Sequence, residues 1–127
     1  SLSAAPSAKV ILLGGDYDTV AEVTTGPVTE LCAREYYVDK IFVGIDGYTE
    51  ENGFTNVNHT RCSTVRALAR QAGKVIVLTP SGKFGKRSVA RMFAPDEVHT
   101  VVTDSNLSEE YRNALESRHI RVELAEL

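Results

Sequence analysis

The sequence predicts an α/β domain: a mostly parallel sheet with flanking helices. Three observations predict it. Five short apolar runs rich in β-branched residues punctuate the chain, helical patterns lie between them, and polar glycine-broken segments follow two of them directly. Continuous apolar runs are the mark of strands covered on both faces, as in parallel sheets.

The runs are Val10 to Leu13, Ile41 to Ile45, Val75 to Leu78, Val98 to Val102 and Ile120 to Leu124. In the last, Ile120, Val122 and Leu124 alternate with Arg121 and Glu123, which predicts a half-exposed strand near an edge. Pro27, after Thr25-Gly26, suits a first helical turn, and Val28, Leu31 and Cys32 then mark one face of a helix reaching about Tyr36. Cys62, Val65, Leu68, Ala69 and Ala72 recur at helical spacing, with Gly73 as the expected stop. A last helix turns Leu107, Tyr111, Ala114 and Leu115 inward and carries Glu109 and Glu110 where the helix dipole favours acid.

At 127 residues, with 43% hydrophobic and 24% charged residues, the chain reads as one ordinary globular domain. A net charge of −3 removes the whole-domain electrostatic case for nucleic-acid binding, which needs a basic face. Cys32 and Cys62 lack the spacing of a zinc site and are expected to be buried thiols, so no metal and no cofactor is predicted. No apolar run approaches a bilayer span, and Ser1 to Ser7, which reads as a loop, has neither the basic start nor the apolar centre of a signal peptide. The expected location is the cytoplasm, with no membrane partner.

In an open α/β sheet, ligands bind outside the carboxyl ends of the strands, so the polar strand exits are the candidate site. Gly14-Gly15 follows the first run and either lets a ligand approach the backbone or only reverses the chain. It is not GxGxxG, and no GxxxxGK[ST] exists to hold a nucleotide. In Gly44-Ile-Asp46-Gly47 a single carboxylate stands between glycines; it can bind sugar hydroxyls, act as a base, or cap its own loop. Asn58, before the second helix, is a helix N-cap or a polar ligand contact. In Pro80-Ser-Gly-Lys83-Phe-Gly85 a compact ammonium on an N–H-rich turn suits a phosphate or carboxylate. Lys83, Lys86, Arg87 and Arg91 form the one local basic cluster, whose bland reading is solvated surface. His99 and His119 are expected to be structural.

The order Leu12-Leu-Gly-Gly15, Gly26-Pro27, Asp39-Lys-Ile-Phe-Val-Gly-Ile-Asp-Gly47, Gly53-Phe-Thr55, Asn58, Val75 to Leu78, Ser81-Gly-Lys-Phe-Gly85 and Val102-Thr-Asp104 closely resembles the C-terminal sensor domain of DeoR-type bacterial transcriptional repressors. The likeness runs from about Lys9 to the C-terminus. It implies a fold shared with sugar-phosphate isomerases and CoA transferases, a phosphorylated sugar or related metabolite as effector, a homo-oligomer, and DNA contact only through an N-terminal winged helix-turn-helix outside these 127 residues. By position it implies effector-binding roles for Gly14, Gly15, Asp46, Gly47, Asn58 and Lys83. The chain is then expected to be the C-terminal part of one sensor domain, residues 1–127, cut from a longer regulator. Where the family commonly has an acidic residue and a lysine after Asn58, this chain has Ser63 and Val65; where it has Asp-Ser-Ser, this chain has Pro80-Ser-Gly82. An isomerase or aminosugar-phosphate deaminase on the same fold is the competing expectation, but such chemistry needs a paired acid and base, and only Asp46 is placed for one.

Overall fold

A computed structural model describes Ser7 and residues 9–126. Apart from Ser7, the opening heptapeptide lies outside the described residues. The elements are β1 (Asp16–Asp18), β2 (Val23–Thr25), α1 (Pro27–Ala33), β3 (Val38–Val43), β4 (Gly47–Thr49), β5 (Gly53–Asn56), α2 (His59–Ala69), β6 (Ala72–Leu78), β7 (Ala90–Phe93), β8 (Thr100–Asp104), α3 (Glu109–Ser117) and β9 (Arg121–Ala125). Strands β3-β6-β8-β9 form a parallel sheet, so the predicted α/β architecture is present, with β9 at the edge. Two antiparallel additions join it: the hairpin β1-β2 and the sheet β4-β5-β7.

The core lies on one face of the parallel sheet. Register places Val43, Val77 and Val101 in one row and Ile41 beside Val75, and all of them face the cluster formed with Cys62 of α2, Leu115 of α3 and Tyr48, Phe54 and Phe93 of the small sheet. Four aromatic rings close its centre: Tyr48 lies 4.6 Å from Phe54, 5.5 Å from Phe84 and 6.2 Å from Tyr111 between centroids. Such offset and tilted pairs add about 0.5–1.5 kcal/mol each beyond the area they bury. The Tyr48 hydroxyl, taken from water, donates to Glu50 Oε1 at 2.9 Å, and Arg118 donates to the other oxygen of Glu50 at 3.1 Å.

The expectation of strands covered on both faces is corrected. Phe42 is 60% exposed and Leu78 45%, so among the described residues the second face of the parallel sheet is largely bare. Parallel strands are joined by right-handed crossovers, and a sheet built outward in one direction, β3 to β6 to β8 to β9, stacks those crossovers on one side. The strand expected at Val10 to Leu13 is also corrected. These residues belong to no strand and pair with none among the described residues, and Leu12 is 86% exposed. The apolar pattern is strand-like, but a ladder partner is decided elsewhere in the chain.

Helix ends move for local reasons. Helix α1 stops at Ala33 and not near Tyr36, and it buries Thr29 and Ala33 while Val28 and Leu31 face solvent. Its contact is with α2 and the hairpin, where small side chains allow close approach. Helix α2 ends at Ala69 because Gln71 draws the chain away: its side-chain nitrogen donates to the carbonyls of Arg34 and Tyr36. Ala72 and Gly73, expected to close the helix, instead begin β6, with Ala72 paired to Val38. Cys62 is buried as expected, whereas Cys32 is only partly so. His99 lies just before β8, and its Nδ1 accepts the Val75 N–H at 3.0 Å, a structural role.

Burial is the main cause, with the Glu50 hydrogen bond second, of a Tyr48 hydroxyl pushed well above its ordinary pKa of 10.0. The folded state therefore keeps its proton where the unfolded chain loses it. This contribution to stability is complete below pH 10 and disappears as pH rises above it. Urea midpoints are expected to fall above about pH 10 in the wild type and to fall less in Tyr48→Phe, which loses about 1 kcal/mol at neutral pH with its hydrogen bond. On the bare face, Phe42→Ser is expected to change stability by no more than about 0.5 kcal/mol, against about 3–5 kcal/mol for Phe54→Ala in the core.

Candidate functional site

The site begins with adjacent strand exits. Because β3 and β6 pair in parallel with Val43 opposite Val77, the segments Gly44 to Gly47 and Thr79 to Lys83 leave the sheet side by side. Asp46 is half-buried at the first exit. Its N–H donates to the Thr55 carbonyl, and its Oδ2 accepts the Val57 N–H, both at 2.9 Å. The carboxylate therefore does not cap its own loop; it spans to the residue that precedes Asn58. Asn58 takes the expected cap role, accepting the Arg61 N–H on Oδ1 at 3.0 Å, and its own N–H donates to Asn56 Oδ1.

Gly47 is required by close approach. A Cβ there would collide with the Lys86 carbonyl, the neighbour through which Lys86 bridges to Tyr48. Gly14 and Gly15 belong to a different neighbourhood. Thr29 of α1 donates its hydroxyl to the Gly14 carbonyl at 2.6 Å, and Gly15, at φ +131°, leaves no space for a side chain beside that hydroxyl. Helix α1 is in turn tied to α2, since the Gly26 N–H donates to Thr64 Oγ1 and Ser63 donates to Glu30 Oε1. The hairpin reaches the same helix. Asp18 accepts the N–H groups of Ala21 and Val20, which hold its carboxyl below its ordinary range, with a smaller contribution from Arg61.

Lys83 closes a single 3₁₀ turn, Ser81–Lys83, and its side chain is half-exposed with no ion-pair partner among the described residues. The turn is anchored by Asp104, whose carboxylate accepts the Ser81 N–H at 2.9 Å and the Asn106 N–H at 3.0 Å. Those donors, Ser81 first, hold the Asp104 carboxyl below its ordinary 3.8. The structure thus joins Asp46, Gly47 and Asn58 around the start of α2 and sets the Lys83 turn beside them. It places Gly14 and Gly15 against α1, without a direct bond to the other four.

Sequence reasoning missed what stands next to Lys83. A cleft of about 290 Å³ opens at the carboxyl ends of β6, β8 and β9, lined by Leu78, Thr79, Val102, Thr103 and Asp104 among others. Thr103 is 4% exposed, and its hydroxyl has no hydrogen-bond partner among the described residues. The signal was present: a Thr-Asp pair directly after an apolar run is itself a polar strand exit. Among the described residues no group of three His, Cys, Asp or Glu side chains is arranged to hold a metal ion.

Comparison with known proteins places this architecture. The model of the DeoR C-terminal sensor domain matches residues 1–105. The chain belongs to that family. It is 26% identical over 121 residues to the uncharacterized HTH-type transcriptional regulator YulB of Bacillus subtilis, covering 95% of this chain and 47% of that protein. It is 25% identical over 114 residues to the HTH-type transcriptional regulator GlpR of Haloferax volcanii, covering 90% of this chain and 45% of that one. A putative aga operon transcriptional repressor of Escherichia coli O157:H7 matches at 22% over 122 residues, covering 96% and 45%. The chain spans a little under half the length of these relatives. Each of the three carries the name of a transcriptional regulator or repressor, the class that the resemblance implied and not that of the isomerase alternative. No helix among the described residues is long and apolar enough to cross a membrane.

The Asp104 anchor is open to measurement. Its contribution to stability is present above the ordinary value of 3.8 and is lost as pH falls below it. In a two-dimensional NMR titration the Ser81 and Asn106 amide signals are expected to move together with a midpoint below 3.8, and Asp104→Asn is expected to remove that coupled movement.

Proposed function

We propose that this DeoR-type sensor domain binds a phosphorylated sugar or related metabolite at the exits of β3 and β6 and thereby controls DNA binding by an oligomeric cytoplasmic regulator. The observation that carries the reading is the pairing, on adjacent exits, of a backbone-anchored carboxylate with an unpaired lysine. Lys83 and the N–H groups of its turn offer a phosphate its donors, while Asp46 and the amide of Asn58 offer acceptors and donors to hydroxyls. Gly14 and Gly15 keep backbone exposed where a side chain would stand, and Gly47 lets the Lys86 backbone close against the Asp46 exit. In this reading Gly14 and Gly15 form the far wall of the site, across α1.

DNA contact belongs, in this proposal, to a winged helix-turn-helix outside the 127 residues, and these residues are the C-terminal part of the sensor. Control requires that the effector bind the DNA-competent and DNA-incompetent forms with different affinity, since equal affinity shifts nothing. That the relatives are transcriptional regulators supports a regulatory role and leaves the effector to experiment.

The test is a calorimetric titration with a panel of sugar phosphates and their unphosphorylated parents, against both this chain and the gene's full product. At least one sugar phosphate is expected to bind while its parent sugar does not. Lys83→Ala is expected to weaken it about tenfold or more, the cost of a charge-assisted hydrogen bond. Asp46→Asn is expected to weaken sugar phosphates and to leave inorganic phosphate binding little changed. Failure of every sugar phosphate to bind either protein, with operator binding unaltered, would sink the reading.

A further inference from the structure

The charges of this chain are not evenly paired. The ion pairs among the described residues are Arg66 with Glu97, Arg112 with Glu116, Arg118 with Glu50 and Arg121 with Glu123. Beside the β4-β5 turn, whose Glu50 pairs with Arg118, the exposed side chains of Glu51, Glu110, Arg87 and Arg91 enter no ion pair among the described residues and stand close to one another. They are sorted by sign. Arg87 and Arg91 line a cleft of about 870 Å³, and Glu51 and Glu110 line one of about 340 Å³.

The two clefts adjoin, because Asn52 lines both. Asn52 is fixed there: its carbonyl accepts Arg91 Nε at 3.0 Å, and its N–H donates to Thr49 Oγ1 at 3.1 Å. A surface with a positive half and a negative half on either side of one point is complementary to itself under a two-fold rotation about that point. From this juxtaposition we propose that the face centred on Asn52 is a two-fold self-association surface, in which Glu51 and Glu110 of each copy meet Arg87 and Arg91 of the other. It rests on the oligomeric part of the function proposed above and names the surface that part leaves open.

Two further observations favour a second copy over a small anion as the occupant. Val89, 76% exposed, lines the positive cleft and offers apolar contact that an inorganic anion would not use. The turn that carries Glu51 is also rigid: Tyr48 and Arg118 hold Glu50, and Thr49 holds Asn52, so presenting Glu51 to a partner costs little ordering entropy. The larger, positive cleft then receives the turn of the other copy.

Charge swapping tests it. Sedimentation velocity of the 127-residue chain is expected to show a monomer–dimer equilibrium whose Kd rises by about tenfold or more between about 50 mM and about 500 mM NaCl, as exposed ion pairs are screened. The double variants Arg87→Glu/Arg91→Glu and Glu51→Lys/Glu110→Lys are each expected to be monomeric alone. Mixed, they are expected to restore a 1:1 dimer within about threefold of the wild-type Kd, because every contact in the mixed pair again joins opposite charges. All four residues are exposed, and unchanged far-ultraviolet circular dichroism checks folding; if Arg91→Glu disturbs the turn, the same mixing test with Arg87→Glu and Glu51→Lys alone replaces it. A wild type that stays monomeric to about 1 mM, double variants that still dimerise, or a mixture that does not associate would each overturn the proposal. A 1:1 dimer without any sugar-phosphate binding would overturn the effector reading and leave this surface standing.

Discussion

The parallel ladder between β3 and β6 is the constraint on which the rest of the structure depends. Its register sets Val38 beside Ala72 and Val43 beside Val77, so the two strands end level and release their polar segments at one edge of the sheet. A slip of one residue would turn every side chain to the opposite face. Were β3 the strand that slipped against β6, Ile41 and Val43 would leave the core and Phe42 would enter it. The same register fixes the core face on which α2 docks. Helix α2 in turn sets the end of the Asp46 segment, because Asn58 caps the helix one residue after Val57 bonds Asp46.

Winding in one direction has a cost that this chain leaves visible. With β3 at one edge and every crossover on the core side, Phe42, Ile76, Leu78 and Val102 form a partly exposed apolar face, and among the described residues no strand pairs with the outer edge of β3. Val10 to Leu13 adds a second unsatisfied preference, an apolar segment with no ladder among the described residues. The open face is the departure here, since the strands of parallel sheets are normally covered on two faces. The core side shows what coverage achieves. There the small antiparallel sheet buries all four residues of β5, and Thr55 bonds the Gly47 carbonyl at 3.0 Å.

How much of this was legible in the sequence depends on whether a signal was local. Four of the five apolar runs became strands of the parallel sheet, and Asn58 capped α2, because β-branched runs and caps act within a few residues. The boundaries slid by about two residues where non-local bonds intervened, as where His99 takes the place of a strand partner for Val75 and delays β8 to Thr100. The strands β4, β5 and β7 are short and rich in Gly, Thr, Asn and Arg, and carry no alternation; their burial comes from lying over the core and not from their own pattern. Helix α1 was legible in position and misleading in face, since Thr29 and Ala33 are inward only because α2 is there to meet them. Of the site, the chemistry of Asp46 and Lys83 could be read from residue type, while the anchoring of Lys83 by Asp104, 21 positions on, could not.

The structural roles found at the exits bear directly on their proposed use. A residue already bonded to the backbone could be taken as spoken for, and Asp46 and Asn58 are both so bonded. The atoms say otherwise. Asp46 gives Oδ2 to Val57, and among the described residues Oδ1 accepts no bond; Asn58 gives Oδ1 to its helix, and its Nδ2 donates none. One atom of each side chain is therefore fixed and the other is free, which is the arrangement that holds a recognising group in place before a ligand arrives. Lys83 differs, because only the turn beneath it is fixed, through Ser81 and Asp104, while the side chain keeps its own freedom. Hydroxyl recognition needs direction, and rigid side chains supply it. A phosphate presents charge in many directions, and a mobile ammonium on an anchored turn meets that requirement.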